Sequence, residues 1–131
     1  MADPDSMVPR QWAERARYDL DTARAMLDAG RYVYVLFCCQ QAIEKALKAL
    51  IVRQTGQLPP RTHSLPRLAE TADVQLEDSQ LDFLGELSLG YIRTRYPEEE
   101  EALARATTRE KAETILTTTE AVAQWLLSML K

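Results

Sequence analysis

From Val33 to Val52 the chain is apolar at most positions, yet Gln40, Glu44 and Lys48 recur every four residues within it. Residues four apart share one face of a helix, so these three form a polar line. Gln41, Lys45 and Lys48 form a second line beside it. A helix that is apolar on most sides belongs in the middle of a bundle. Polar groups on such a helix must meet partners, solvent or a ligand. Gly30 and Gly56 bracket this stretch and predict a helix over 32–55. Before it, Pro9 suits a first helical turn. Trp12, Ala16, Leu20, Ala23 and Leu27 then mark one face of a helix running to about Ala29.

After Gly56, Pro59-Pro60 forbids helix and stiffens the connection. Thr62-His63-Ser64 supplies capping groups for a short helix to about Thr71, with Pro66 in its first turn. The next helix starts at Asp78 or Ser79, with Ser79 and Asp82 as a capping pair. Leu81, Leu84, Leu87 or Ser88, and Tyr91 form its expected inner face. Gly85 and Gly90 either weaken this helix or permit a close approach. Tyr96-Pro97 stops it. Glu98 to Glu101 then read as the solvated acidic start of a short helical segment. Thr107 and Glu110 predict a capping box for a last helix, whose apolar face runs from Ala112 through Ile115, Leu116, Thr119, Val122 and Leu126 to Met129 or Leu130. Trp12 and Trp125 sit on apolar stripes and read as core. No segment alternates as a strand. The pattern predicts an all-α, antiparallel, up-and-down bundle of four to five helices, one domain over 9–131 behind a flexible tail over 1–8.

The chain has 131 residues, 46% of them hydrophobic, enough for one domain with a real core. No apolar run is long enough to span a membrane, and the first eight residues lack the apolar centre of a signal peptide, so a cytoplasmic location is expected. Cys38 and Cys39 are adjacent and have no second pair for a metal site, so they read as small buried apolar residues. A net charge of −4 argues against general nucleic-acid binding.

The charge is unevenly spread. Lys45, Lys48, Arg53, Arg61 and Arg67 fall in a stretch without an acid, and so do Arg93 and Arg95. If the two stretches face each other they form an anion site; otherwise the cations merely complement a helix end. Glu44 and Lys48 are oriented for an intrahelical pair. The one histidine, His63, either braces the start of the short helix or works as a donor or proton carrier in a basic pocket. It cannot build a histidine-rich metal site, and no glycine-rich phosphate loop is present.

Several strings recur here in a particular order: Trp12-Ala13 with Asp19-Leu20 and Ala23, Gly30-Arg31-Tyr32, Gln40-Gln41-Ala42, Glu44-Lys45-Ala46-Leu47-Lys48-Ala49, Thr62-His63-Ser64-Leu65 and Arg95-Tyr96-Pro97. Together they resemble the HEPN family, small helical proteins named for nucleotide binding. The resemblance implies a homodimer that binds a nucleotide such as ATP and works with a minimal nucleotidyltransferase in a toxin–antitoxin or substrate-binding arrangement. It carries no further cofactor. The anion contacts it suggests are Lys45, Lys48, His63 and Arg95, with Glu44, Gln41, Arg93 and Tyr96 in support. Ribonuclease members of the family carry an arginine, a polar residue and a histidine a few residues on. Here Thr94, Arg95, Tyr96, Pro97 and glutamates follow Arg93, and no histidine does. The expectation is therefore a non-catalytic binding module. The alternatives are a metal-independent ribonuclease with a displaced active site and a dimeric scaffold whose charges are only structural.

Overall fold

The computed structural model describes residues 7–130. Six helices are present and, among the described residues, no strand: α1 (Met7–Asp28), α2 (Tyr32–Thr55), α3 (Leu65–Thr71), α4 (Asp78–Arg93), α5 (Pro97–Ala106) and α6 (Arg109–Leu127). Four are long and two are short, so the bundle has the expected class. The expected tail over 1–8 overlaps α1 at residues 7 and 8; its first six residues lie outside the described ones.

Helix α2 is the hub, packing against each of the other five. Its burial follows from its composition: Ala42, Ile43, Ala46, Leu47 and Ala49 are fully buried, and they occupy different sides of the helix. A three-residue turn joins α1 to α2 as antiparallel neighbours. Gly30 takes φ of 77° there, and the Arg31 amide closes the turn onto the Met26 carbonyl at 2.8 Å. Gly56 ends α2 in the left-handed conformation, its N–H donating to the Val52 carbonyl. Both positions require a residue that tolerates positive φ.

The short α3 is anchored by Leu65 and Leu68, both fully buried. Its end is tied to α2, because the Gln54 side-chain amide donates to the Ala72 carbonyl at 2.7 Å. Helix α6 covers α1 and α2, and an exposed Arg24–Glu120 pair at 2.9 Å links it to α1. No helix of the described residues is long and apolar enough to cross a membrane.

Several local expectations need correction. The first cap of α4 is Glu77, whose N–H donates to Gln80 at 2.9 Å, upstream of the Ser79–Asp82 pair. Helix α6 is capped by Thr108, which accepts from the Lys111 N–H, while Thr107 turns back to the Leu103 carbonyl and ends α5. Leu81 is 44% exposed, because the core side of α4 is set by Leu84, Leu87 and Gly90. Trp125 lies on the outer flank of α6 and is exposed, since Val122, Ala123 and Leu126 already fill the inner side. Trp12 is half-buried and faces a charged group. Gly85 and Gly90 interrupt a helix at about 1 kcal/mol each relative to alanine. A Cβ at either would meet nothing within 4 Å, so packing inside this chain does not demand glycine there.

Candidate functional site

The polar line of α2 faces inward. Gln40, Glu44 and Lys48 are buried, with exposures of 0%, 4% and 7%. They are mutually satisfied. Glu44 Oε2 accepts from Lys48 Nζ at 3.0 Å, and Oε1 accepts from Gln40 Nε2 at 3.1 Å. The same amide donates to the His63 main-chain carbonyl at 3.0 Å, while Gln41 donates to Gln40 Oε1 at 2.8 Å. Among the described residues no buried side-chain nitrogen or oxygen lacks a partner.

The fifth member of this cluster comes from the segment before α3. His63 Nδ1 lies 2.9 Å from Glu44 Oε1. Two further bonds pin that segment. The Ser64 N–H donates to the Thr62 hydroxyl, and the Leu65 N–H donates to Ser88 Oγ on α4 at 2.9 Å. Glu44 is thus a carboxylate with three donors. Burial alone pushes its pKa up, but the bonds from His63, Lys48 and Gln40 together outweigh it, and the carboxyl is held below its ordinary value of 4.5. The ring of His63 remains 47% exposed at the side chain. With Nδ1 donating to the carboxylate, Nε2 is the nitrogen left to meet solvent or a ligand.

Above this network stands Tyr91 of α4. Phe37 stacks on its ring at 5.4 Å, His63 tilts against it at 5.1 Å, and the Arg95 guanidinium sits 5.6 Å from its centre. The result is a stack of two aromatic rings with an imidazole tilted against it and an arginine over the Tyr91 ring, built from α2, the pre-α3 segment and the end of α4.

The residues singled out in the sequence divide into groups. His63 and Arg95 meet at one ring, and Lys48 and Glu44 lie beneath them. Lys48 also approaches the face of Trp12 at 5.7 Å. Lys45 turns toward α1, where it pairs with Asp19 at 2.6 Å. The two lysines therefore have carboxylate partners of their own and do not form a bare cationic groove with Arg95. Gln41 supports Gln40. Arg93 lines a different groove, toward α5 and α6, and Tyr96 is an exposed residue at the start of α5. Tyr91, Phe37, Gln40 and Asp19 were missing from the sequence-derived site. Tyr91 carried a local signal, because it stands one turn before Arg95. Nothing local linked Phe37 or Asp19 to it.

Cys38 and Cys39 are free and buried. Burial, with the nearby Asp19 charge, pushes the Cys38 thiol up to about 11, and burial pushes Cys39 up to about 12. Neither is a nucleophile at neutral pH. Among the described residues, no three histidine, cysteine, aspartate or glutamate side chains are grouped to hold a metal.

A model of the HEPN domain matches residues 9–129. The chain belongs to the HEPN family. A crystal structure, that of TT1696 from Thermus thermophilus, is similar to this HEPN chain with a TM-score of 0.77 and 32% identity, over 90% of this chain and 94% of that one. No curated protein matches it. As a HEPN domain it departs from the ribonuclease pattern in a defined way. Its histidine is delivered from upstream, by the segment before α3, and reaches the neighbourhood of Arg95 through Tyr91.

Proposed function

We propose that this HEPN protein is a non-catalytic nucleotide-binding module, acting in the cytoplasm as a homodimer beside a minimal nucleotidyltransferase, in a toxin–antitoxin type of arrangement. The observation that carries the reading is the Phe37–Tyr91 stack with the Arg95 guanidinium over the Tyr91 ring. An exposed ring stacks on a nucleobase, worth about 1–3 kcal/mol per base, without demanding a particular sequence, and Phe37 is the ring of this cluster that is exposed, at 36%. The arginine fork matches phosphate oxygens. A single nucleotide also suits an acidic chain better than a long nucleic acid does. The partnership with a nucleotidyltransferase comes from the family resemblance. Its expected sign is a stable complex with a small nucleotidyltransferase encoded beside this protein.

The test is calorimetric titration of ATP and the other nucleoside triphosphates at fixed ionic strength. Wild type is expected to bind at least one of them, and Arg95→Ala to bind it about tenfold more weakly, as loss of one charged contact implies. Equal affinity in the two proteins, or no binding of any nucleotide, sinks the reading.

One observation favours a second reading. His63 is held by a buried carboxylate with its other nitrogen free, an orientation that suits a general acid or base. Incubation of single-stranded RNA without metal is expected to give no cleavage, because the arginine-to-histidine spacing is missing. Cleavage that disappears in His63→Ala, with the helical circular dichroism intact, would establish the displaced ribonuclease site instead.

A further inference from the structure

On α1, Arg10, Arg17 and Arg24 recur every seven residues and so share one face of the helix, the side that meets α6. The fold answers only the last of them, pairing Arg24 with Glu120. Near Arg10 and Arg17 the end of the chain offers Leu127 and Leu130, and no acidic side chain follows Glu120. These residues line an open groove of about 360 Å³, which Arg53 in the last turn of α2 also lines. Arg10 and Arg17 are exposed, and neither makes an ion pair with a described residue. Glu14, which lies between them on the groove, makes none either.

Helix stability does not account for this charge. Arg53 suits the negative end of α2, but Arg10 stands in the first turn of α1, where the helix end is itself positive and no acid is present. Among the described residues the groove gathers three guanidinium groups against one carboxylate, on a chain whose net charge is −4. A local field of that sign draws an anion. Arginine forks match phosphate oxygens. Arg10 and Arg17 are separated by about 10 Å of helix rise, so one phosphate engages one of them at a time, while a linear chain of phosphates reaches both. We infer that this groove is an oligophosphate site, with Arg10 and Arg17 holding the two ends of a di- or triphosphate, Arg53 as the contact from α2, and Leu127 and Leu130 backing the ligand. The phosphate chain is either free or the tail of a nucleoside triphosphate; the groove chemistry is the same. The site shares no residue with the Phe37–Tyr91 stack and goes beyond the nucleotide reading given above.

Tripolyphosphate is the probe, titrated calorimetrically at fixed ionic strength. The titrations use the Arg95→Ala protein, which lacks the phosphate contact proposed at the other site. Binding is expected, and adding Arg10→Ala or Arg17→Ala should weaken it about tenfold each, as loss of a charged contact implies. Adding Glu14→Gln should tighten it, because the groove loses its carboxylate; damage to the fold would not produce a gain. Orthophosphate should bind about tenfold more weakly than tripolyphosphate, since it engages one α1 arginine at a time. ATP that binds as tightly as tripolyphosphate identifies a nucleotide tail as the ligand, and ATP that binds much more weakly identifies free oligophosphate; both results uphold the site. Absence of tripolyphosphate binding, unchanged affinity in the arginine or Glu14 variants, or equally tight orthophosphate overturns it. None of those results touches the nucleotide reading, which stands or falls on ATP binding by wild type and Arg95→Ala.

Discussion

Glu44→Ala is expected to lose about 3–5 kcal/mol of folding stability, the range for removing one partner of a buried ion pair. The substitution would leave the Lys48 ammonium buried with no carboxylate, and would strip Gln40 and His63 of a shared acceptor. The cost arises from stranded donors more than from lost attraction, because a buried pair as a whole adds little over an apolar one of the same shape. It follows that Glu44→Leu combined with Lys48→Met should recover much of what the single change loses. Urea denaturation measures both, and a Glu44→Ala loss below about 0.5 kcal/mol, the range of an ordinary surface substitution, would show that the network is not structural. The same carboxylate sets a pH dependence. Its pKa is lower in the folded protein than the ordinary 4.5, so its contribution is present above 4.5 and is lost as the pH falls through the folded value. Wild type should therefore lose stability on acidification below about pH 4.5, more steeply than Glu44→Gln.

Leu65→Ala should cost about 2–4 kcal/mol, because the side chain is fully buried and its loss leaves a cavity beside α2 and α4. Its value lies in where it acts. Leu65 holds the first turn of α3, and α3 is what carries His63 to Glu44 and Tyr91. A short helix has little stability apart from its packing. The substitution is thus expected to release the segment before α3 as well as to lower global stability. The imidazole signals of His63 in an NMR spectrum should then move toward those of an unstructured chain while the α1, α2 and α6 signals persist. Retention of the native His63 environment at full strength would show that Gln40 and Ser88 hold the segment without α3.

Much of the fold could be read from the chain because its signals are local. Gly30, Gly56, Pro59-Pro60 and Tyr96-Pro97 mark helix ends by backbone restriction alone, and the bounds of α2 follow from them. The capping residues of α4 and α6 were misplaced by one or two positions. Adjacent serines, threonines and acids all have the chemistry of a cap, and only the entry path of the chain selects among them. The site was legible in part. Glu44 and Lys48 share a helix face, and His63 and Arg95 stood out by residue type. Phe37, Tyr91 and Asp19 come from three different helices, and no spacing joins them.

By itself the sequence determined the all-helical class, the central place of α2, and the family, because periodicity, breakers and short strings act over a few residues. The tertiary structure decided how the charges are used. It turned Lys45 toward Asp19, compensating a cation that the sequence left open for a ligand, and it buried the Glu44–Lys48 pair that helical spacing had already offered. It also gathered His63, Phe37 and Arg95 around Tyr91. Which opposite charge a lysine meets, and which ring an arginine covers, depends on packing between segments far apart in the chain.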